Sequence, residues 1–213
     1  MPRSSIHDRA DSIERAMEIF WERGYHATSM KDLECGLDMR PGSIYAAFGS
    51  KAGLFLAALE RYAEALGEEF ALVMDSARSP VAGIEAYLRN VAHACGTAGQ
   101  TDGWPIPGCM LVKTILEAGQ DNAEVRASAE QLLAAVEDRL TELVKAAQAA
   151  GELREDAGPR RLARLLQAQI MGLRAFAQRT VDAQDVQQLA EDMSSVLDRY
   201  RVNPATTPAT PVA

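Results

Sequence analysis

The chain has little cysteine: three residues in 213, an odd number at no metal-ligand spacing. That excludes a disulfide framework and fits a reducing compartment. It has no run of 18 apolar residues, so no transmembrane helix and no membrane partner are expected. The opening Met1-Pro-Arg-Ser-Ser-Ile-His-Asp8 lacks an apolar signal core, which places the expected protein in the cytoplasm. No paired catalytic carboxylates, no nucleophile beside a base and no phosphate-binding glycine loop can be read, so an enzyme is not expected and no cofactor is implied. His93 with nearby Cys95 is too sparse for a metal site. No strand pattern and no internal repeat stand out.

An excess of positive charge is also missing. The 22 basic and 30 acidic residues leave a net of −8, the reverse of the usual footprint of a nucleic-acid binder. The deficit is uneven, however. Residues 1–62 hold 8 basic and 9 acidic residues, a net of −1, leaving 14 against 21 for the rest. Any nucleic acid held by the N-terminal part must therefore rely on a few local cations, Arg3, Arg9, Arg40 and Lys51, and on oriented backbone donors.

What the chain does have is helical periodicity. Ile6, Ala10, Ile13, Met17 and Phe20 give a first helix with one buried stripe, ended by Gly24. Ser29 is an N-cap candidate with Asp32 three residues on, a carboxylate version of the capping box. Met30, Leu33 and Leu37 then form one apolar stripe. Asp38 stands where the chain must turn, and aspartate is among the residues that tolerate the left-handed conformation. Arg40-Pro41-Gly42-Ser43 opens a further helix with proline in its first turn. Ile44 and Phe48 bury one side of it, leaving Arg40, Pro41, Ser43 and Tyr45 as a short face suited to a major groove. The pattern is that of a helix-turn-helix.

In this stretch Gly24-Tyr25, Thr28-Ser29, Asp32-Leu33, Gly42-Ser43-Ile44-Tyr45, Phe48 and Ser50-Lys51 fall in the order and spacing of a known family. The chain resembles the TetR (tetracycline-repressor-like) family of transcriptional regulators over residues 8–62. Asp38 stands where that family commonly has glycine, and Glu34 where it has a small residue. The resemblance implies an all-α homodimer with an N-terminal reader and a C-terminal ligand-sensing and dimerising domain. It also implies a palindromic double-stranded operator as partner and, most often, a repressor released by a small-molecule inducer.

Beyond the reader, Ser50 caps a long fourth helix, with Phe55, Leu59, Tyr62, Leu66 and Phe70 along one face and Gly67 as a weak point. Ser79-Pro80 opens a fifth helix to Ala98, followed by a breaker-rich loop. A short sixth helix is expected over 109–118, and Asp121 with Glu124 caps a seventh through Ala147. Gly158-Pro159 starts an eighth, and Asp182 with Asp185 a ninth ending near Tyr200. The tail, 203–213, is rich in proline, threonine and alanine and reads as disordered. The expected division is a reader over 1–50 and a sensing and dimerising domain over 51–202.

Candidate contacts to DNA are Arg40, Pro41, Ser43 and Tyr45 on the reading helix, with Lys51 at the start of helix four, where unsatisfied N–H groups favour a phosphate. Thr28 and Ser29 are candidates at helix two, where pure capping is an equal alternative. Cys109, at a helix start with Lys113 one turn on, is a candidate electrophile or oxidant sensor. The alternative is a small buried hydrophobe, as is expected of Cys35 and Cys95. Trp104, Met110, Met171 and Phe176 are candidate ligand-pocket residues, and each is also ordinary core material. Helix eight, with Leu162, Leu166, Leu173 and Phe176 among small Ala168, Gly172 and Ala175, and helix nine, with Leu189, Met193, Val196 and Tyr200, suit a two-fold four-helix bundle between subunits. Rival readings are a ligand-independent DNA-binding activator or architectural protein, and a helical enzyme.

Overall fold

The structure is a computed structural model that describes residues 5–101, 108–118 and 122–202. The predicted tail, Asp121, Arg3 and Trp104 lie outside the described residues. Among those described, nine α-helices run in chain order: α1 Ser5–Arg23, α2 Met30–Leu37, α3 Pro41–Phe48, α4 Lys51–Ser76, α5 Pro80–Thr101, α6 Met110–Glu117, α7 Ala123–Ala149, α8 Pro159–Phe176 and α9 Ala183–Ser194. The expected all-α class holds. Packing divides the chain into two units. One unit is α1–α3, α4 to Ala71, α6 and α7 to Ala135; the other is α4 from Leu72, α5, α7 from Val136, α8 and α9.

In the first unit the apolar periodicity of α1, α2 and α4 converges on one core. Ala16, Met17, Phe20, Leu33, Leu37, Ile44, Leu54, Phe55, Leu59 and Tyr62 are buried there, joined by Met110 and Leu111 of α6 and Val125 and Ala129 of α7. Each large aliphatic so buried contributes about 1.5–3 kcal/mol. Phe55 is the aromatic hub, edge-on to Phe20 at 4.8 Å and to Tyr25 at 4.9 Å between centroids. The α1 stripe is rotated from the expected one: Ala10 is exposed and Ile13 half-buried, while Ser12 and Ala16 turn inward. Gly24 ends α1 at φ +87°, and its N–H donates to the Phe20 carbonyl at 2.8 Å. At the α3–α4 corner a Cβ on Gly53 would lie 2.2 Å from the Phe48 carbonyl oxygen, so only glycine permits that close approach.

The capping box at α2 is complete. The Ser29 hydroxyl accepts from the Asp32 N–H, and the Asp32 carboxylate accepts from the Ser29 N–H at 2.8 Å. Arg23 donates to the other carboxylate oxygen at 2.9 Å. At the other end of α2, Asp38 adopts φ 54°, ψ 41°, the left-handed cap expected of the turn, and is the non-glycine residue with positive φ among the described residues.

In the second unit α9 packs chiefly on α5. The Glu152 carboxylate accepts from the Val81 N–H at 3.0 Å, satisfying a first-turn donor of α5. Glu137 of α7 is gripped by Arg160 and Arg164 of α8. The ninth helix differs from expectation: the α-helix stops at Ser194 and a 3-10 segment, Ser195–Tyr200, completes it. The chain then closes back on the α7–α8 connection through one antiparallel bridge, Leu153 with Arg201, in which the Arg154 N–H donates to the Tyr200 carbonyl at 2.8 Å. No strand pattern was legible for so short a pairing. Leu162, Leu166 and Leu173, expected on a partner-facing surface of α8, are instead buried within the chain. The exposed strip of α8 is Leu165, Ala168, Gly172 and Ala175. Leu189, Met193, Val196 and Tyr200 of the ninth element are half-buried.

Two stability measurements follow from α2. For an L-residue the left-handed conformation costs roughly 1–2 kcal/mol, and glycine in place of aspartate loses about 0.5–1 kcal/mol of that gain to chain entropy. Aspartate recovers part of that cost through its short polar side chain, so Asp38→Gly is expected to unfold in urea within about 1 kcal/mol of the parent, while Asp38→Val, which recovers none of it, loses about 1–2 kcal/mol. The second concerns pH. The Ser29 hydroxyl and N–H, with Arg23 adding to them, hold the Asp32 carboxyl below its ordinary value. A depressed folded-state value means the stabilisation is present above the unfolded carboxylate value, about 4, and lost as pH falls through the lower folded one. Asp32→Asn should be less stable than the parent at pH 7, with the gap closing below pH ~4; a constant gap across urea titrations from pH 7 to 2.5 would remove the charge from the account.

Candidate nucleic-acid interface

The first unit carries an exposed helix whose buried side is set by one residue. Ile44 is fully buried, Phe48 half-buried, and the remaining six residues of α3 are exposed. Arg40 precedes the helix as N-cap, in extended backbone at φ −76°, ψ 150°, and Pro41 takes its first position. Proline lacks the N–H that has no partner there, so the helix opens cleanly. Tyr45 is 49% exposed, a large ring held on the surface beside exposed Ser43. Arg40, Pro41, Ser43 and Tyr45 thus share one exposed helix, as the spacing predicts.

The remaining predicted contacts are placed differently. Thr28 is fully buried and its hydroxyl donates to the Gly24 carbonyl at 2.7 Å, so its side chain braces the α1–α2 corner instead of facing a phosphate. Ser29 is exposed and serves the capping box. Ser50 accepts from the Gly53 N–H at 3.0 Å, capping α4 as expected. Lys51 is half-buried with its ammonium 4.5 Å from the Tyr25 ring centre, a cation–π contact. Desolvation lowers its proton affinity, with Asp32 acting weakly the other way. Arg9 lies 5.0 Å over the Phe48 ring.

The candidate sensor residues fall apart into the two units. Cys109 is the half-buried N-cap of α6 and Met110 is a core residue, 1% exposed, both in the first unit. Met171 and Phe176 are half-buried on α8 in the second unit, with Arg179 stacked 4.9 Å over Phe176. Cys95 is half-buried, but Cys35 is exposed on α2 and not a core residue, because it points away from the face that carries Leu33 and Leu37.

A polar clamp on the α1–α2 corner went unseen in the sequence. Lys113 of α6 donates to the Glu22 carbonyl at 3.0 Å and the Trp21 carbonyl at 3.4 Å, in the last turn of α1, where carbonyls lack helical partners and a cation is favoured. Glu117 accepts from the Tyr25 N–H at 3.2 Å, and a Cβ on Gly24 would lie 2.5 Å from its carboxylate oxygen. The Trp21 indole N–H donates to the Gly108 carbonyl at 2.7 Å. Lys113, expected to serve Cys109, is therefore occupied by α1 and by Glu117 at 4.0 Å. The partners are about 90 residues apart in sequence, and only the i, i+4 spacing of Lys113 and Glu117 hinted that they act together.

Comparison with known proteins agrees with this geometry. The family model of bacterial regulatory proteins of the tetR family matches residues 13–58, and the tetracyclin repressor-like C-terminal domain matches residues 85–193. The transcriptional regulator YezE of Bacillus subtilis is 30% identical over 199 residues, 93% of this chain and 100% of its own. The transcriptional repressor ComR of Escherichia coli is 26% identical over 189 residues, 88% of each chain. Among solved structures, a cysteine variant of the TetR family regulator CifR, complexed with 26-bp double-strand operator DNA, is 29% identical with a TM-score of 0.81, over 92% of this chain and 99% of that one. With a helix-turn-helix of matching register and a matching C-terminal domain, the chain belongs to the TetR family of DNA-binding transcriptional regulators.

Proposed function

We propose that the protein is a repressor that holds a palindromic double-stranded operator as a homodimer and lets go of it when a small-molecule or electrophile inducer binds. The observation that carries the DNA half is the exposed face of α3, presented by a helix that buries Ile44 alone. Arg40, Pro41, Ser43 and Tyr45 meet the major groove, while Ser29 and Lys51 approach phosphates at the first turns of α2 and α4. Thr28 contributes through its brace on Gly24. Repression is favoured because ComR and BdcR of Escherichia coli, similar to this chain, are transcriptional repressors. The cytoplasm, where the chromosome lies, is the compartment this activity requires.

The division of labour assigns reading to residues 1–50 and sensing and dimerisation to 51–202. Release has a mechanical handle in α6, because its Lys113 and Glu117 hold the α1–α2 corner directly. A ligand, or an electrophile on Cys109 at the start of that helix, acts only to the extent that it favours one arrangement of α6 over another. Dimerisation uses the exposed small-residue strip of α8 with the half-buried apolar edge of α9.

Gel shifts test the reader. Tyr45→Ala is expected to weaken operator binding by about tenfold or more while the fold survives, since the ring is on the surface. Lys51→Ala should weaken all sequences alike and make the salt slope shallower by about one unit. Wild-type affinity for both variants at matched salt would remove the assignment. Sedimentation tests assembly. A Cβ on Gly172 meets nothing within 4 Å inside the chain, so Gly172→Leu should fold normally. It should nevertheless move the protein from dimer to monomer at micromolar concentration; a variant as dimeric as the parent would exclude this strip.

A further inference from the structure

α3 reads Pro-Gly-Ser-Ile-Tyr-Ala-Ala-Phe and carries no charged side chain. Direct reading of guanine in the major groove uses arginine or lysine, and of adenine asparagine or glutamine. None of these occurs within α3, where Ser43 can bond either base and so discriminates little; the nearest is Arg40, the N-cap. At about 100° per residue, the direction opposite Ile44 and Phe48 falls on Ala46, with Gly42 one turn earlier on the same strip and Ser43 and Tyr45 to either side. All four are exposed. The outermost line of the helix is therefore a bare backbone followed by one methyl group.

Gly42 is not demanded by the fold. A Cβ built there meets nothing within 4 Å, and its φ is not in the left-handed region. Gly42 is the second residue of the helix, where glycine still has more backbone freedom to lose than alanine, and nothing inside the chain fills the space its side chain would take. What gains from the missing Cβ is a body outside the chain that approaches the first turn closely. In a major groove that body is a base edge, and the group there that complements a lone alanine methyl is the C5-methyl of thymine.

We propose that Ala46, with Gly42 clearing the turn before it, is the specificity-determining position of α3 and reads a thymine C5-methyl by direct apolar contact. The inference rests on α3 being the base-reading helix, and deepens that reading by naming what is read. It makes Tyr45 and Arg40 the affinity contacts and Ala46 the sequence contact.

The test uses the full chain and duplexes it selects from a random-sequence pool. Each thymine of the selected sequence is replaced in turn by deoxyuridine, which removes the C5-methyl and leaves the hydrogen-bonding edge intact. Wild-type affinity should fall about fourfold at one defined position per recognised repeat, the factor for one buried methylene-sized group. Ala46→Gly should bind thymine and uracil equally at that position only. Because Ala46→Gly weakens a short helix, Ala46→Gln is the companion variant: it keeps helix propensity and should change the selected base there from thymine to adenine. Gly42→Ala should melt at or above the parent temperature yet bind the operator at least tenfold more weakly. If uracil is tolerated everywhere while Tyr45→Ala and Arg40→Ala lose binding, α3 is the reader but methyl reading is wrong. A uracil penalty unchanged in Ala46→Gly and a thymine preference unchanged in Ala46→Gln would assign the methyl to another residue. Wild-type binding by Tyr45→Ala, Arg40→Ala and Gly42→Ala together would instead overturn the base-reading helix itself.

Discussion

The burial of Ile44 is the contact on which the reading surface depends. α3 is only eight residues long and gives the first core one fully buried side chain, packed within the same cluster as Phe20, Leu33 and Phe55. A helix held by one buried residue has its rotation about its own axis fixed by that residue, because every other side chain follows at the helical angle. Phe48, half-buried and covered by Arg9, steadies the same side. The ends are fixed independently, by the left-handed Asp38 before the helix and by the tight approach of Gly53 to the Phe48 carbonyl after it. Rotation and position together decide which residues an operator meets.

The second constraint lies at the corner between α1 and α2. The last turn of α1 presents carbonyls with no helical partner, and the α1–α2 corner presents the Tyr25 N–H. α6 supplies the complementary groups: the Lys113 ammonium for the carbonyls and the Glu117 carboxylate for the N–H. Lys113 and Glu117 are half-buried, so each contact is modest, but their geometry is specific. The absence of a side chain at Gly24 makes room for the carboxylate. A helix remote in sequence is thereby attached to the corner from which α2 starts.

The acidic composition is reconciled with DNA binding by where the charges are used. Arg23 is paired with Asp32 and Arg61 with Glu14, so part of the basic complement of residues 1–62 is spent on the protein's own structure. Lys51 is partly desolvated against Tyr25. The reading helix itself is neutral. On the proposed reading, recognition by such a surface leans on shape, oriented backbone N–H groups and apolar contact more than on a broad positive field.

Much of this was determined by local sequence. Helix periods, the Ser29–Asp32 cap, the left-handed Asp38, Pro41 at the start of α3 and the inward Ile44 each depend on residues within a turn or two of one another, and such chemistry acts wherever the chain lies. The family register, read over residues 8–62 and matched by the family model over 13–58, was legible for the same reason. Only the tertiary structure decided that Thr28 turns inward, that Cys35 is exposed, that Leu162, Leu166 and Leu173 fill the chain's own core, and that Lys113 and Glu117 serve α1. An amphipathic period identifies that a face is apolar but not what covers it, and a hydrogen bond across about 90 residues leaves no trace in the spacing of either partner. Those choices depend on which surfaces meet, and that is settled only when the helices pack.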